Sequence, residues 1–267
     1  MFQISFITWP FQPEIFTFWG ITLRWYGVLF AAAFVFGYYL TRKDLLKIGM
    51  PDKSIDYLLL FVLFGAVLGA RLGHVFFYEA KYYLAHPMEI LKTWNGGLAS
   101  HGGAIGILIA LWFYARKVKK PWLWVIDRIV AVVAFGGVFI RIGNLMNSEI
   151  IGKASNMPWA FVFPNVDAIP RHPAQLYEAI GYLLIFFFLR HLQRKYQNKS
   201  PNGLLFSWFL VLVFGIRFFI EFLKEPQELF EQSMFLNMGQ WLSFPFVVFG
   251  SIFLVYLYQK FKPHKYV

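Results

Sequence analysis

A chain of 267 residues that is 58% hydrophobic and 21% aromatic, with 15% charged residues and a mean hydropathy of +0.54, lies outside the range of soluble domains and reads as an integral membrane protein. It contains no cysteine, which excludes disulfides, a thiolate nucleophile and thiolate metal sites, so any sulfur chemistry must happen on a substrate. Its formal charge of +11 does not read as a nucleic-acid surface, because the basic residues lie between the apolar runs.

Residues 1–16, MFQISFITWPFQPEIF, lack a basic start and a small-residue cleavage site, so they do not read as a removable signal. Pro10 and Pro13 break helices there, and the Phe and Trp content suits an arm at the headgroup level. A span needs about 20 mostly apolar residues to cross ~30 Å of hydrocarbon, and seven are expected. The first, near 17–40, has Tyr26 close to its start. The second, near 55–78, carries Arg71 and His74 toward its end, and its run GAVLGARLG suits close helix packing. The third, near 98–115, opens with His101 between two glycine pairs in WNGGLASHGG. The fourth, near 124–145, begins with Asp127 and Arg128, expected to snorkel to water, and ends with Arg141 and Asn144. Residues 146–172 are expected to form an external loop capping the site. The fifth span, near 173–190, opens with His172, Gln175 and Glu178; the sixth, near 204–223, closes with Arg217 and Glu221; the seventh lies near 239–259. The fold class expected is all-α and polytopic, a single integral membrane domain over residues 1–267.

Four connections, TRKDLLKIGMPDKS, ARKVKK, RHLQRKYQNKS and the tail QKFKPHKYV, hold 15 of the 25 Lys and Arg. The positive-inside rule makes them cytoplasmic, which puts the amino terminus outside, the carboxyl terminus inside, and requires an odd number of spans. That orientation places Tyr26, Arg71, His74, His101, Arg141, Asn144, His172, Gln175, Glu178, Arg217 and Glu221 in the outer part of the membrane. Charged groups at depth are costly unless paired or hydrated, so their convergence points to a polar pocket facing the outer leaflet. Arg217, Glu221 and Lys224 share one helical face by their spacing. Arg141 has no acid three or four residues away, and Asn144 cannot neutralise it, which leaves a remote acid such as Glu149 or an anionic ligand. The six His are scattered and make a poor metal site, and no Gly-Xaa-Ser-Xaa-Gly elbow is present. Arginines beside a neutral base at the outer leaflet suggest chemistry next to a phospholipid phosphate, with His101 the candidate proton acceptor. An anion transporter or channel, or another phospholipid-dependent transferase, are the alternatives.

At these residues the chain resembles the bacterial prolipoprotein diacylglyceryl transferases over nearly its whole length. RIGNLMNSEIIG (141–152) resembles the family signature, WNGGLASHGG its His-Gly-Gly segment, RHPAQLYE (171–178) its His-Pro-Xaa-Gln-Leu-Tyr-Glu segment and RFFIEFLKEP (217–226) its Arg-Xaa-Xaa-Xaa-Glu-Phe segment. The resemblance implies transfer of an sn-1,2-diacylglyceryl group from phosphatidylglycerol to the lipobox cysteine thiol in a preprolipoprotein signal peptide, giving a thioether and glycerol 1-phosphate in the bacterial inner membrane. It implies no cofactor, no metal and no nucleic acid; its partners are that lipid, that signal peptide and the surrounding membrane lipids. By the same resemblance Arg141 binds the headgroup, with Asn144, Glu149 and Gly152 shaping that site; Arg217 and Glu221 match a second pair; Tyr26 and His101 match residues needed for activity. Three positions depart from the pattern: Lys224 stands where many relatives carry Arg, Ile140 where Gly is common, and Ser148 where Gly is frequent before Glu149.

Overall fold

The computed structural model describes residues 6–93, 96–196, 199–226 and 229–261. Trp94 and Asn95 of the His101 segment, Gln197 and Asn198, the first five residues and the end of the basic tail lie outside the described residues. Long apolar runs have no partner for backbone N–H and C=O groups except themselves, and such runs become helices. Seven helices of 17 residues or more are found among the described residues: α1 (Trp25–Lys47), α2 (Asp52–Phe77), α4 (Ser100–Val118), α5 (Trp122–Met146), α6 (Ala174–Lys195), α7 (Leu204–Ile220) and α8 (Met238–Phe261), with a short α3 (Ala80–Ala85) between the second and third of these. Four segments, Asp52–Phe77, Trp122–Met146, Leu204–Leu223 and Met238–Phe261, are long and apolar enough to cross a membrane. The basic connections named above turn out to begin as the last turns of α1, α4, α6 and α8, where Lys47, Arg116, Lys117, Arg194, Lys195 and Lys260 also complement the negative end of the helix dipole.

The expected helical start at residue 17 is corrected. Residues 14–24 form an antiparallel hairpin, β2 (Glu14–Phe18) with β3 (Ile21–Arg24), in which Thr17 faces Thr22 with their hydroxyl oxygens 3.0 Å apart. Trp19 and Gly20 both adopt positive φ, 50° and 78°, the two-residue turn whose twist matches the strands. Hydropathy counts these aromatic and β-branched residues toward a span, but their backbone preference is extended.

The chain divides into two compact units, residues 1–40 with 129–267, and residues 41–128. In the second unit α2 and α4 pack through glycine. A Cβ added at Gly106 would sit 2.7 Å from Gly69 Cα, and one added at Gly73 would sit 2.7 Å from Gly102 Cα, so the two backbones touch. The packing role expected for GAVLGARLG is what the structure shows. Beside the contact runs an apolar groove of about 700 Å³ lined by Phe64, Leu68, Phe76, Ile105, Ile109 and Phe113. Arg42 holds Asp52 through two hydrogen bonds of 3.0 and 2.8 Å, which closes the turn between α1 and α2.

In the first unit α6, α7 and α8 pack in sequence, with Gly181 admitting Ile216 and Gly250 admitting Leu210. The stretch 146–172 is partly ordered as sheet: β1 (Ile7–Thr8) runs parallel to β4 (Phe161–Val162), which pairs antiparallel with β5 (Pro170–Arg171). Leu145, Phe161 and Phe163 form a buried cluster against which Trp9, Ile151 and Leu176 pack, tying the amino-terminal arm to the end of α5.

Candidate active site

Five charged side chains from three segments of the first unit alternate in sign. Glu178, on the second turn of α6, places Oε2 2.9 Å from Arg141 Nε and 3.1 Å from Lys224 Nζ. Lys224 Nζ donates to Glu221 Oε1 at 2.8 Å, and Arg217 Nε lies 3.8 Å from the same oxygen. Asn237 completes the shell of Glu221 by donating to its Oε2 at 3.2 Å. Glu178 is fully buried and the Lys224 side chain is 1% exposed, which is tolerable only because each charge touches opposite charge on both sides. Three cations and two carboxylates leave one positive charge in excess. Arg217 is the open end of the ladder: its side chain is 32% exposed, and its Nε has no hydrogen-bond partner among the described residues.

The residues Arg217, Glu221 and Lys224 do share a face as their spacing predicts. α7 ends at Ile220 and the chain tightens into a 3-10 turn over Glu221–Leu223, which swings Lys224 inward. Arg141 is not left without an acid. Its partner is Glu178, not Glu149, and its Nη1 donates to Asn144 Oδ1 at 3.1 Å. Glu149 is instead exposed, with Oε1 accepting from Asn147 Nδ2 at 2.5 Å. It lines a polar cleft with Gln12, Pro13, Glu14, Arg24 and Asn147.

The loop after α5 is clamped from several sides. Gln175 Nε2 donates to the Glu149 carbonyl at 2.6 Å, Gly152 N–H donates to the His172 carbonyl at 3.0 Å, and Lys153 N–H donates to the Leu223 carbonyl at 2.8 Å. Gly152 is required for this closeness: a Cβ there would lie 2.6 Å from His172 Cβ and 2.9 Å from the Leu223 oxygen. Ser148 and Ile150 both take positive φ, 54° and 57°. That conformation is uncommon for Ser and an outlier for β-branched Ile, and strain of this kind persists where the surroundings over-determine the backbone. Arg171 closes the loop with Asp167 at 2.6 Å and Glu225 at 2.8 Å. Hydrogen bonding to Arg171 holds the Asp167 carboxyl below its usual range.

Tyr26, on the first turn of α1, lies half-buried against Gly143, where an added Cβ would be 2.8 Å from its ring, and within electrostatic reach of Glu149 and Arg141. Tyr26, Arg141, Asn144, Glu149, Gly152, Arg217 and Glu221 therefore all belong to the first unit. His101 is exposed on the first turn of α4 in the second unit. Arg71, expected in the polar pocket, is a fastener within that second unit: its guanidinium donates to the carbonyls of Glu89, Ile90, Lys92, Gly96 and Gly97 at 2.5 to 3.3 Å. His74 stacks on Tyr78 with ring centres 5.6 Å apart. The expected snorkelling of Asp127 and Arg128 is also corrected, since they are 3% and 7% exposed, with the Arg128 guanidinium over the Trp124 ring. His172 Nδ1 lies 3.2 Å from the Tyr177 hydroxyl. Tyr182, absent from the sequence reading, donates to Glu178 Oε1 at 3.4 Å. Among the described residues no three His, Cys, Asp or Glu side chains are grouped as metal ligands.

Comparison with known proteins bears on this site. The sequence profile of the family described as prolipoprotein diacylglyceryl transferase matches residues 13–256. The chain is 48% identical over 251 residues to a phosphatidylglycerol–prolipoprotein diacylglyceryl transferase of Chloroherpeton thalassium, covering 94% of each chain. It is 46% identical to a protein of the same description from Tolumonas auensis, covering 92% of this chain and 96% of the relative, and 45% identical to one from Bacteroides fragilis, covering 97% and 98%.

Proposed function

The chain belongs to the prolipoprotein diacylglyceryl transferase family, and we propose that it carries out the family reaction at the alternating charge ladder, with Arg217 as the group that meets the lipid phosphate. It is a membrane transferase of lipoprotein biosynthesis that moves a diacylglyceryl group from phosphatidylglycerol to a prolipoprotein. The observation that carries the assignment to this site is the excess positive charge of the ladder and its open end at Arg217.

In the finer reading the acceptor is the lipobox cysteine of the signal peptide. Its sulfur attacks the glyceryl carbon bonded to the phosphate oxygen, that carbon–oxygen bond breaks, and glycerol 1-phosphate leaves with the electron pair as the thioether forms. A thiol of pKa about 8.5 must lose its proton to attack, and His101, by its motif, is the proposed acceptor. Arg217 and Arg141 stabilise charge on the departing phosphate, an effect that grows where water is excluded. Asn144 orients Arg141, Gly152 sets the loop spacing, Glu221 fixes Arg217, and Tyr26 and Glu149 line the approach for the glycerol end. The seven long helices act as spans in the bacterial inner membrane, with the amino terminus and the site toward the outer leaflet and the basic helix ends in the cytoplasm.

The test is incubation of the purified protein with labelled phosphatidylglycerol and lipobox peptides bearing Cys or Ser at the acceptor. Thioether should form with Cys only, and Arg217→Gln should lower kcat by about 10²-fold or more. A folded protein that forms no thioether overturns the reading.

A further inference from the structure

We infer that Glu178 is a positioning residue for the transfer, holding Arg141 in its working orientation while Lys224 keeps it from neutralising that arginine. The inference rests on the proposed reaction at the ladder and adds a residue pair to it.

Three observations carry it. Glu178 is 0% exposed, so it does not touch a substrate itself. A single oxygen, Oε2, faces both Arg141 Nε and Lys224 Nζ, at 2.9 and 3.1 Å. A carboxylate shared by two cations cancels neither, so Arg141 is both tethered and left with part of its charge for an anion. The tether also has a direction. Nε faces Glu178, Nη1 donates to Asn144, and the guanidinium also hydrogen-bonds the Tyr182 side chain, so its plane is fixed from three sides. Tyr182 donates to the other oxygen of Glu178 at 3.4 Å, and its ring fills the space opposite Gly137, so the carboxylate is braced by α5 as well as by its own helix.

The geometry separates orientation from charge. Lys224 is as buried as Glu178 and is paired on both sides, to Glu178 and to Glu221 at 2.8 Å, so its charge serves balance. Removing Glu178 and Lys224 together takes away one charge of each sign and leaves the ladder with the same net charge, but without the tether on Arg141.

The experiment compares Glu178→Gln, Lys224→Met, the double variant and Glu178→Asp in the full-length protein in detergent, measuring thermal unfolding and steady-state kinetics with phosphatidylglycerol and a lipobox peptide. Glu178→Gln leaves the buried Arg141 without a carboxylate and should melt well below the parent, whereas Lys224→Met leaves each carboxylate an arginine and should melt closer to it. The double variant keeps the ladder's net charge and should melt no lower than Glu178→Gln, yet show a kcat lowered by about tenfold or more, within the ~10²-fold that an ångström of misplacement can cost. Its KM for phosphatidylglycerol should stay within about threefold, because the net charge is kept. A double variant with both parental stability and parental kcat would show that the pair only balances charge in the fold, and the inference fails. Should the double variant not fold, Glu178→Asp decides: the charge is kept but drawn back by one methylene, so a lowered kcat with unchanged KM supports the tether, and a parental kcat overturns it. A parent that makes no thioether defeats the reaction itself, an outcome distinct from failure of the Glu178 assignment.

Discussion

Ser148→Gly should stabilise the protein. Ser148 sits in the signature loop at φ +54°, is buried, and its hydroxyl has no hydrogen-bond partner among the described residues. Left-handed backbone costs a residue with a Cβ about 1–2 kcal/mol, and an unsatisfied buried polar group adds roughly 1 kcal/mol or more. Against this, glycine gives the unfolded chain extra freedom worth about 0.5–1 kcal/mol. The net expectation is a gain of about 1–2 kcal/mol, which for a chain near this size corresponds to a rise of roughly 2–6 °C in Tm. Thermal unfolding in detergent, followed by intrinsic tryptophan fluorescence, measures it. Ile150→Gly is the control: it relieves similar strain at φ +57° but gives up apolar burial of about 1–3 kcal/mol, so it should gain nothing. A Ser148→Gly protein that melts at or below the parental temperature refutes the argument from backbone strain.

Three other outcomes are expected. Gly106→Leu forces a side chain into the backbone of α2, where even a Cβ would sit 2.7 Å from Gly69 Cα; overpacking of this kind costs about 1–3 kcal/mol or more, read as a lowered melting temperature, and an unchanged value would mean the helices separate freely. Arg71→Met strips donors from five carbonyls, at about 0.5–1.5 kcal/mol each, and should open residues 86–93 to limited proteolysis at a stability cost of roughly 3 kcal/mol or more. Asp167→Asn should change the acid limb of stability. Because hydrogen bonding to Arg171 depresses the folded carboxyl, the parent's advantage is complete above the unfolded value of about 3.9 and is lost as pH falls through the lower folded one. The gap between parent and variant should therefore close below about pH 4, and a gap that persists there, measured by unfolding across pH, contradicts the linkage.

What was readable in the chain follows from how local each signal is. The long helices were visible because every residue of a buried apolar run must find its backbone partner a turn away, which makes the run its own evidence. The hairpin at 14–24 was missed because hydropathy ignores whether aromatic residues sit on a helix or an extended strand; Gly20 after an aromatic, with threonines on either side, was the available sign. Arg217, Glu221 and Lys224 were legible as one face because helical spacing places them together. Glu178 was visible only as one polar residue among several at the start of a span, since its two partners come from α5 and from the turn after α7, and no periodicity links them. The pairing of Glu178 with Arg141 changes the basis for anion binding. From sequence, Arg141 looked attractive to a phosphate because it lacked a neighbouring acid. In the fold it has one, and the attraction comes instead from two carboxylates divided among three cations. The surplus is felt where the ladder is least satisfied and most open, at Arg217, so a phosphate should lose more from Arg217→Gln than from Arg141→Gln, whose charge is already partly met by Glu178. Ranking the two variants by KM for phosphatidylglycerol tests that order directly, and the reverse order would return Arg141 to the position of principal phosphate contact.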